Sequence, residues 1–582
     1  MFNKAELEVI ENTAKTLVGY EHAKLVRFDE QSNADNIYTA EQLAESGETG
    51  TLTSVFRNQE GKLNYRLQQL CHTLVIGASG SGKSTGYIAH QLMATAFAGN
   101  ASMVVVDSKG VLYETYAAYL KKLGYKVRLL NMQRSGWQHS EGFNPFAESV
   151  ENYRDKMKEL GKGVRVVNCG EGKKKFKYKG NEYADEKALE RAFRLEKIAI
   201  DEELMSEIDV LVDDLWPVEN ARDPYWERSG RAMYAAVLFA LAEDMFPVGV
   251  PQTTVDMVNL RNMKSVIATF NIEKGGDDKE KDMGYLSSRG QSNVAFDKVR
   301  LNCYHNGGTA VKNILGVMRE NISRYDVQSV QNVSLKTTVD PKWLAENKAV
   351  LFLSYDETNE IEQRFLNFFL SGLMKRLKNV ADSTKNKCLP RPVLYIIDEF
   401  ATMPRNKFVP AFIGYGRSRN VFLSLVLQSY AQLMARYGEA EGKIILDNTN
   451  VKIFLATNDF GTTKSFSESL GRQTIVSPEA MISGNIAFVE RPLVTCSDLG
   501  LLKQGDCYVQ SIGNHALFGH FEPSYTCGEY SCVHSDISAY RSCLSAEVDG
   551  CMYDVEAMIK LRKKLYSKDV AIDNDEDFDI GF

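Results

Sequence analysis

The chain has 582 residues, 44% hydrophobic and 25% charged, with a formal net charge of −7 and a pI near 5.8. That length allows about two to four domains with ample core, and the acidic balance confines any nucleic-acid contact to local patches. No apolar run approaches the roughly 18 residues of a membrane-spanning helix, the N-terminus lacks a secretory pattern, and ten scattered cysteines point to thiols in a reducing cytoplasm rather than a disulfide framework.

Residues 1–70 form an N-terminal region that opens with a predicted helix. Phe2, Leu7, Val9, Ile10, Ala14, Leu17 and Val18 recur at helical spacing, while Lys4, Glu6, Glu8, Glu11 and Lys15 nearly balance in charge. A near-neutral amphipathic helix suits a protein partner better than an anionic lipid surface, so this region is the docking candidate. The apolar run Leu74-Val75-Ile76 then predicts a strand that leads into Gly77-Ala78-Ser79-Gly80-Ser81-Gly82-Lys83-Ser84-Thr85. This satisfies G-x-x-x-x-G-K-[ST], and a helical stretch from Thr85 to Ala98 supplies the context the motif needs. The glycines let backbone N–H groups wrap phosphates, Lys83 reaches the β/γ oxygens, and the Ser84 hydroxyl can ligate Mg²⁺. Bound ATP and Mg²⁺ are the expectation. Further strands are predicted at Met103–Asp107 and Val127–Asn131, so residues 71–150 read as the first part of a nucleotide-binding domain.

The pattern is then interrupted. Residues 151–200 hold 14 Lys/Arg against 9 Asp/Glu and read as a basic insertion. Within it Lys173, Lys174, Lys175, Lys177 and Lys179 interleave with Phe176 and Tyr178, a pairing of cations and rings that can hold nucleic-acid phosphates and bases. A solvated hairpin is the plainer reading. Residues 201–347 are helical in pattern, with Asp223-Pro-Tyr-Trp226 opening a long amphipathic helix, and read as an all-α domain. Residues 348–525 resume the nucleotide-binding domain with strands at Ala349–Tyr355, Val393–Asp398, Val421–Gln428 and Val451–Thr457. Short Val/Ile/Leu runs alternating with helices predict an α/β fold around a largely parallel sheet. Asp398 and Glu399 end the second of these strands, where the first carboxylate can hold the Mg²⁺ shell and the second can polarise the attacking water. Gln428, at the end of the neighbouring strand, is placed to sense a γ-phosphate, and Arg417 is a candidate donor to the γ-phosphate of an adjoining subunit. Residues 526–582 carry Cys527, Cys532, His534, Cys543 and Cys551, followed by an acidic tail. Their spacing departs from a standard knuckle, so zinc is disfavoured.

As an ordered set these segments resemble the type IV coupling proteins, the TraG/TraD-like ATPases of conjugative and type IV secretion systems. The resemblance runs from about residue 70 to 515. It rests on His72-Thr-Leu-Val-Ile-Gly77, Val105-Val-Asp107-Ser-Lys109-Gly110, Gly124-Tyr-Lys-Val127, Asn144-Pro145 and Asp223-Pro-Tyr-Trp226. It continues through Ile397-Asp-Glu-Phe-Ala401, Gly416-Arg417-Ser-Arg-Asn420, Leu427-Gln428-Ser429, Asp447-Asn448, Lys452-Ile-Phe-Leu455 and Arg491-Pro492-Leu493. It implies a RecA-like P-loop domain interrupted by the all-α domain and assembled as a homo-hexamer. It also implies that Lys83 and Ser84 are Walker A, Asp398 and Glu399 Walker B, Arg417 the arginine finger and Gln428 the motif III glutamine. The implied function is ATP-driven recruitment of relaxase-bound single-stranded DNA, or a protein substrate, to type IV secretion channel components. The alternative is a soluble FtsK/HerA-like translocase of double-stranded DNA, for which the Asp223-Pro-Tyr-Trp226 segment and the all-α insertion are not required. Many relatives begin with transmembrane helices. With none evident here, a cytoplasmic protein recruited to the inner face of the membrane by a small membrane-anchored partner is expected.

Overall fold

The structure is a computed structural model that describes residues 25–30, 36–133, 137–162, 164–168, 174–183, 185–216, 224–246, 254–270, 284–287, 289, 293–303, 307–476, 488–528, 535–536, 540, 551 and 554–561. The N-terminal helix expected within residues 1–20 and the acidic tail lie outside the described residues, as do Asp223, Lys173, Cys532, His534 and Cys543. The chain divides into two compact units, residues 1–131 with 340–540, and residues 132–339 with 541–582.

The first unit is built on a ten-stranded sheet. Its strands are β1 (Leu25–Arg27), β2 (Thr73–Gly77), β3 (Ser102–Asp107), β4 (Lys126–Asn131) and β5 (Ala349–Ser354). They continue as β6 (Val393–Ile397), β7 (Val421–Leu427), β8 (Val451–Ala456), β9 (Asp506–Ser511) and β10 (Ala516–His520). The spatial order is β1-β10-β9-β8-β2-β7-β6-β3-β5-β4. Seven of the nine pairings are parallel; β9 alone runs against its neighbours, pairing antiparallel with both β8 and β10. Every residue of β2, β3, β5, β6 and β7 is buried, which explains why these strands read as unbroken apolar runs: a parallel strand covered on both faces has no solvent side to make polar. The predicted strands match the observed ones to within a residue or two at each end.

Register decides what meets at the sheet's edge. Ile397 stands opposite both Leu425 and Val106, and Leu427 stands opposite Ile76. The residues that follow or end these strands, Gly77, Asp107, Asp398 and Gln428, therefore emerge together at the carboxyl edge, where ligands bind in open α/β sheets. The helix expected from Thr85 begins earlier and less regularly, with a π-helical turn over Lys83–Ile88 before α1 (Ala89–Ala98). A second helix, α2 (Val111–Lys122), follows β3. An antiparallel sheet of Asn36–Tyr38, Leu63–Gln69 and Gly50–Arg57 belongs to the same unit.

The second unit is mostly helical. Its long helices span Ala147–Lys162, Glu186–Leu215, Pro224–Glu243 and Gly307–Arg324, and Met233 to Ala242 is buried without interruption. A fully buried Arg289 bonds to Asp244 at 2.8 Å and Glu243 at 2.6 Å, and Tyr285 donates to Asp244 at 2.6 Å, so the charge in this core is shared among several acceptors. Strands at 164–168, 174–178 and 181–183 form an antiparallel sheet inside the basic segment. Among the described residues, no helix is long and apolar enough to cross a membrane.

Candidate nucleotide site

The loop after β2 turns through two glycines in left-handed backbone, Gly80 (φ 81°) and Gly82 (φ 93°), a conformation that costs an L side chain energy but not glycine. At Gly77 the constraint is space, since an added Cβ would meet Ser81 Oγ at 2.3 Å. The loop wraps back on Lys83, which is nearly buried. Its Nζ donates to the Gly77 carbonyl at 2.8 Å and the Ala78 carbonyl at 3.2 Å, and lies 3.8 Å from Glu399 Oε1. The next residue, Ser84, donates its hydroxyl to Asp398 Oδ2 at 3.0 Å. The two elements separated by more than three hundred residues thus meet side chain to side chain.

Glu399 is one of four described non-glycine residues with positive φ, at 50°. Leaving β6 in this conformation turns its carboxylate toward Gln428, whose Nε2 donates to Oε2 at 3.2 Å. Gln428 is itself held by Gln432 Nε2, which donates to its Oε1 at 3.3 Å. A strained non-glycine backbone at a carboxylate facing a phosphate loop is the kind of outlier that accompanies function. Burial raises the pKa of Asp398, and the neighbouring Glu399 charge adds to the rise, while the Ser84 hydroxyl and Lys83 oppose it.

The surrounding cavity is about 990 Å³, ample for a nucleoside triphosphate. Asp107, at the end of β3, lines it and accepts from the backbone N–H groups of Leu112 at 2.7 Å and Tyr113 at 3.1 Å at the start of α2. Ser524–Gly528, the segment beyond β10, also lines it. Neither was given a role from sequence. Asp107 carried a usable signal, an acid ending an apolar strand as Asp398 does, whereas Ser524–Gly528 carried none, being brought here only by the antiparallel turn of β9 and β10.

Burial lifts Asp107 to about 6, against the opposing backbone bonds of Tyr113, Leu112 and Lys109, and the Asp398 charge adds to the rise. The folded state therefore binds more protons here than the unfolded state between about pH 4 and 6, and stability from this group falls as pH rises through that window. Asp107→Asn keeps an acceptor for α2 but cannot ionise. Its stability relative to wild type should improve on going from pH 4 to pH 7 by on the order of 2–3 kcal/mol in denaturant unfolding. A pH-independent difference would refute the assignment.

Two groups of predicted residues lie elsewhere. Arg417 sits in the short turn Gly416–Arg419 that precedes β7, at the amino edge of the sheet, and is exposed. Its neighbour Arg419 is tied to Asp382 at 3.2 Å. Of the lysines in the second unit, Lys177 pairs with Glu182 at 2.7 Å and Lys179 pairs with Glu196. A phosphate binding either would compete with a carboxylate already there. Lys174 and Lys175 lie on the same strand as Lys177. Among the described residues, no group of three His, Cys, Asp or Glu could hold a metal ion unaided.

The family model for type IV secretory system conjugative DNA transfer matches residues 30–504. The chain belongs to this family. It is thus a coupling protein of the TraG/TraD-like kind. A comparison with curated proteins found no match. Among solved structures, the chain resembles the bacterial conjugative coupling protein TrwBdeltaN70 in its sulphate complex, with a TM-score of 0.52 at 16% identity over 86% of this chain and 96% of that one. It also resembles plasmid coupling protein TrwB in complex with the non-hydrolysable ATP analogue ADPNP, with a TM-score of 0.51 at 16% identity and the same coverage. At this identity the likeness establishes the fold, RecA-like with a P-loop, while the family rests on the sequence match.

Proposed function

We propose that this coupling protein is an ATP-hydrolysing motor that energises transfer of relaxase-bound single-stranded DNA, or of a protein substrate, into a type IV secretion channel. The observation that carries the hydrolytic part is the meeting of five groups at one sheet edge: Lys83 against Glu399, Ser84 against Asp398, and Gln428 against Glu399. Lys83 neutralises the β/γ-phosphates, the loop N–H groups orient them, Glu399 takes a proton from the attacking water, and Gln428 holds Glu399 on the γ-phosphate side. The oxygen donors of Ser84 and Asp398 suit Mg²⁺, which keeps few protein ligands and would neutralise charge on the phosphates. The TrwB complex with ADPNP supports the nucleotide assignment, since a relative of the same fold is described with an ATP analogue bound.

The family supports the transport part. A homo-hexamer accounts for Arg417, which lies at the edge of the sheet away from its own site and would serve the site of a neighbour. A small membrane-anchored partner accounts for delivery to the channel by a chain whose described helices cannot span a membrane. Lys83→Ala removes the cation of the phosphate cradle, and a hydrogen bond to a charged group contributes about 1.5–3 kcal/mol, so ATP affinity should weaken about 10–100-fold. Fluorescent-nucleotide titration measures this, and wild-type affinity would overturn the cradle. Stimulation of ATP turnover by single-stranded DNA is the expected partner result. Stimulation by double-stranded DNA alone, with none by single strands, would favour a duplex translocase instead.

A further inference from the structure

We propose that His72 is a positioning residue for Arg417, forming the rigid backing on which the turn that carries the finger is seated. The inference rests on the reading of Arg417 above and adds to it a residue with no assigned role. His72 immediately precedes β2, and its imidazole is 2% exposed. Nδ1 accepts the Leu423 N–H at 3.0 Å, which fixes the ring to β7. The His72 carbonyl accepts from Asn450 N–H at 3.0 Å and Val451 N–H at 3.4 Å, at the start of β8. One residue therefore ties three strands together at the amino edge.

The ring then closes the space behind the finger. Gly416, the residue before Arg417, is packed so tightly that an added Cβ would meet the Val421 carbonyl at 3.0 Å and His72 Cε1 at 3.2 Å. Gly416 has ordinary helical φ, so a side chain here is disfavoured by the close approach of the Val421 carbonyl, the imidazole and Phe412 Cε1 at 3.3 Å, not by backbone conformation. Nε2 is buried and has no hydrogen-bond partner among the described residues, an unusual cost for a polar atom that a purely apolar ring would avoid. Burial first, and then the Arg417 charge, lower the pKa to about 4, so the imidazole is neutral at working pH and puts no second cation behind the guanidinium. The ring acts by shape and by its single accepted bond.

The position also links two functions. β2 runs from His72 to the phosphate loop, so the strand that presents the loop at one end holds the seat of the finger at the other.

The test uses full-length chains assembled into mixed rings. His72→Asn keeps an acceptor for Leu423 N–H but removes the ring atoms that face Gly416. Gly416→Ala disturbs the same contact from the other side and leaves His72 intact, so one variant remains informative if the other fails to fold. Each should bind ATP within about twofold of wild type, while kcat falls about 100-fold, the scale expected from a misplaced group. Adding Lys83→Ala chains, which lack a working cradle but carry a sound finger, should restore turnover at the variant sites. Unchanged kcat in both variants would overturn the proposal. So would a loss that Lys83→Ala chains cannot rescue while they do rescue Arg417→Ala chains. Failure of the Arg417→Ala control itself would instead strike the finger assignment on which the proposal stands.

Discussion

Glu399→Gln should bind ATP nearly as well as wild type and hydrolyse it about 10²–10⁴-fold more slowly, the range contributed by a positioned general base. The substitution preserves volume, and the amide oxygen can still accept from Gln428 Nε2, which stands 3.2 Å from the carboxylate in the native chain. Glutamine and glutamate face the same cost at φ 50°, so the backbone turn should survive. What disappears is the negative charge beside Lys83 and the capacity to take a proton. Phosphate release measured at saturating ATP, with and without single-stranded DNA, separates binding from chemistry. Wild-type turnover in either condition would mean that another group activates the water.

Arg417→Ala should lower kcat by about 10³–10⁵, the contribution of an arginine finger, with ATP affinity little altered. The reason is geometric. β7 separates Arg417 from the carboxyl edge by seven residues at about 3.3 Å each, a span of about 20 Å that the side chain cannot cross. A direct contact of this guanidinium with phosphate is therefore proposed for the site of another copy. Mixing Arg417→Ala chains with Lys83→Ala chains creates interfaces where a sound cradle meets a sound finger, and partial recovery of activity is the expected result. Verified mixed assemblies with no recovery would rule out action between subunits.

The central strands were legible because burial on both faces leaves Val, Ile and Leu little competition, as in Val104-Val105-Val106 and Leu394-Tyr395-Ile396. The loop at Gly77–Thr85 was legible because its chemistry demands fixed residue types at fixed spacing. Other features depend on contacts that sequence spacing does not encode. Of the antiparallel strands, β9 alternates between buried and partly exposed positions and β10 mixes the two, a weak pattern, and so the wall at Ser524–Gly528 was missed. The lysines of the basic segment looked free in sequence because Glu182 and Glu196 reach them only once the hairpin and the following helix are folded. His72 was visible only as one letter of a motif. Its reach to Leu423, more than three hundred residues away, belongs to the sheet and not to the local sequence.

The sheet's polarity has a consequence for how activity grows with assembly. If Arg417 serves a neighbour's site, as proposed, a subunit with its nucleotide cradle at one edge and its guanidinium at the other is a head-to-tail building block, and a symmetric face-to-face pair would leave both cradles unfinished. In an open row, the terminal subunit at one end has no donor and the terminal subunit at the other donates to nothing, so turnover per chain climbs with each addition without reaching its ceiling. Closure into a ring removes both ends in a single step. The last subunit to join therefore completes two interfaces at once, and a jump in specific activity at that step would report closure without any direct view of the ring.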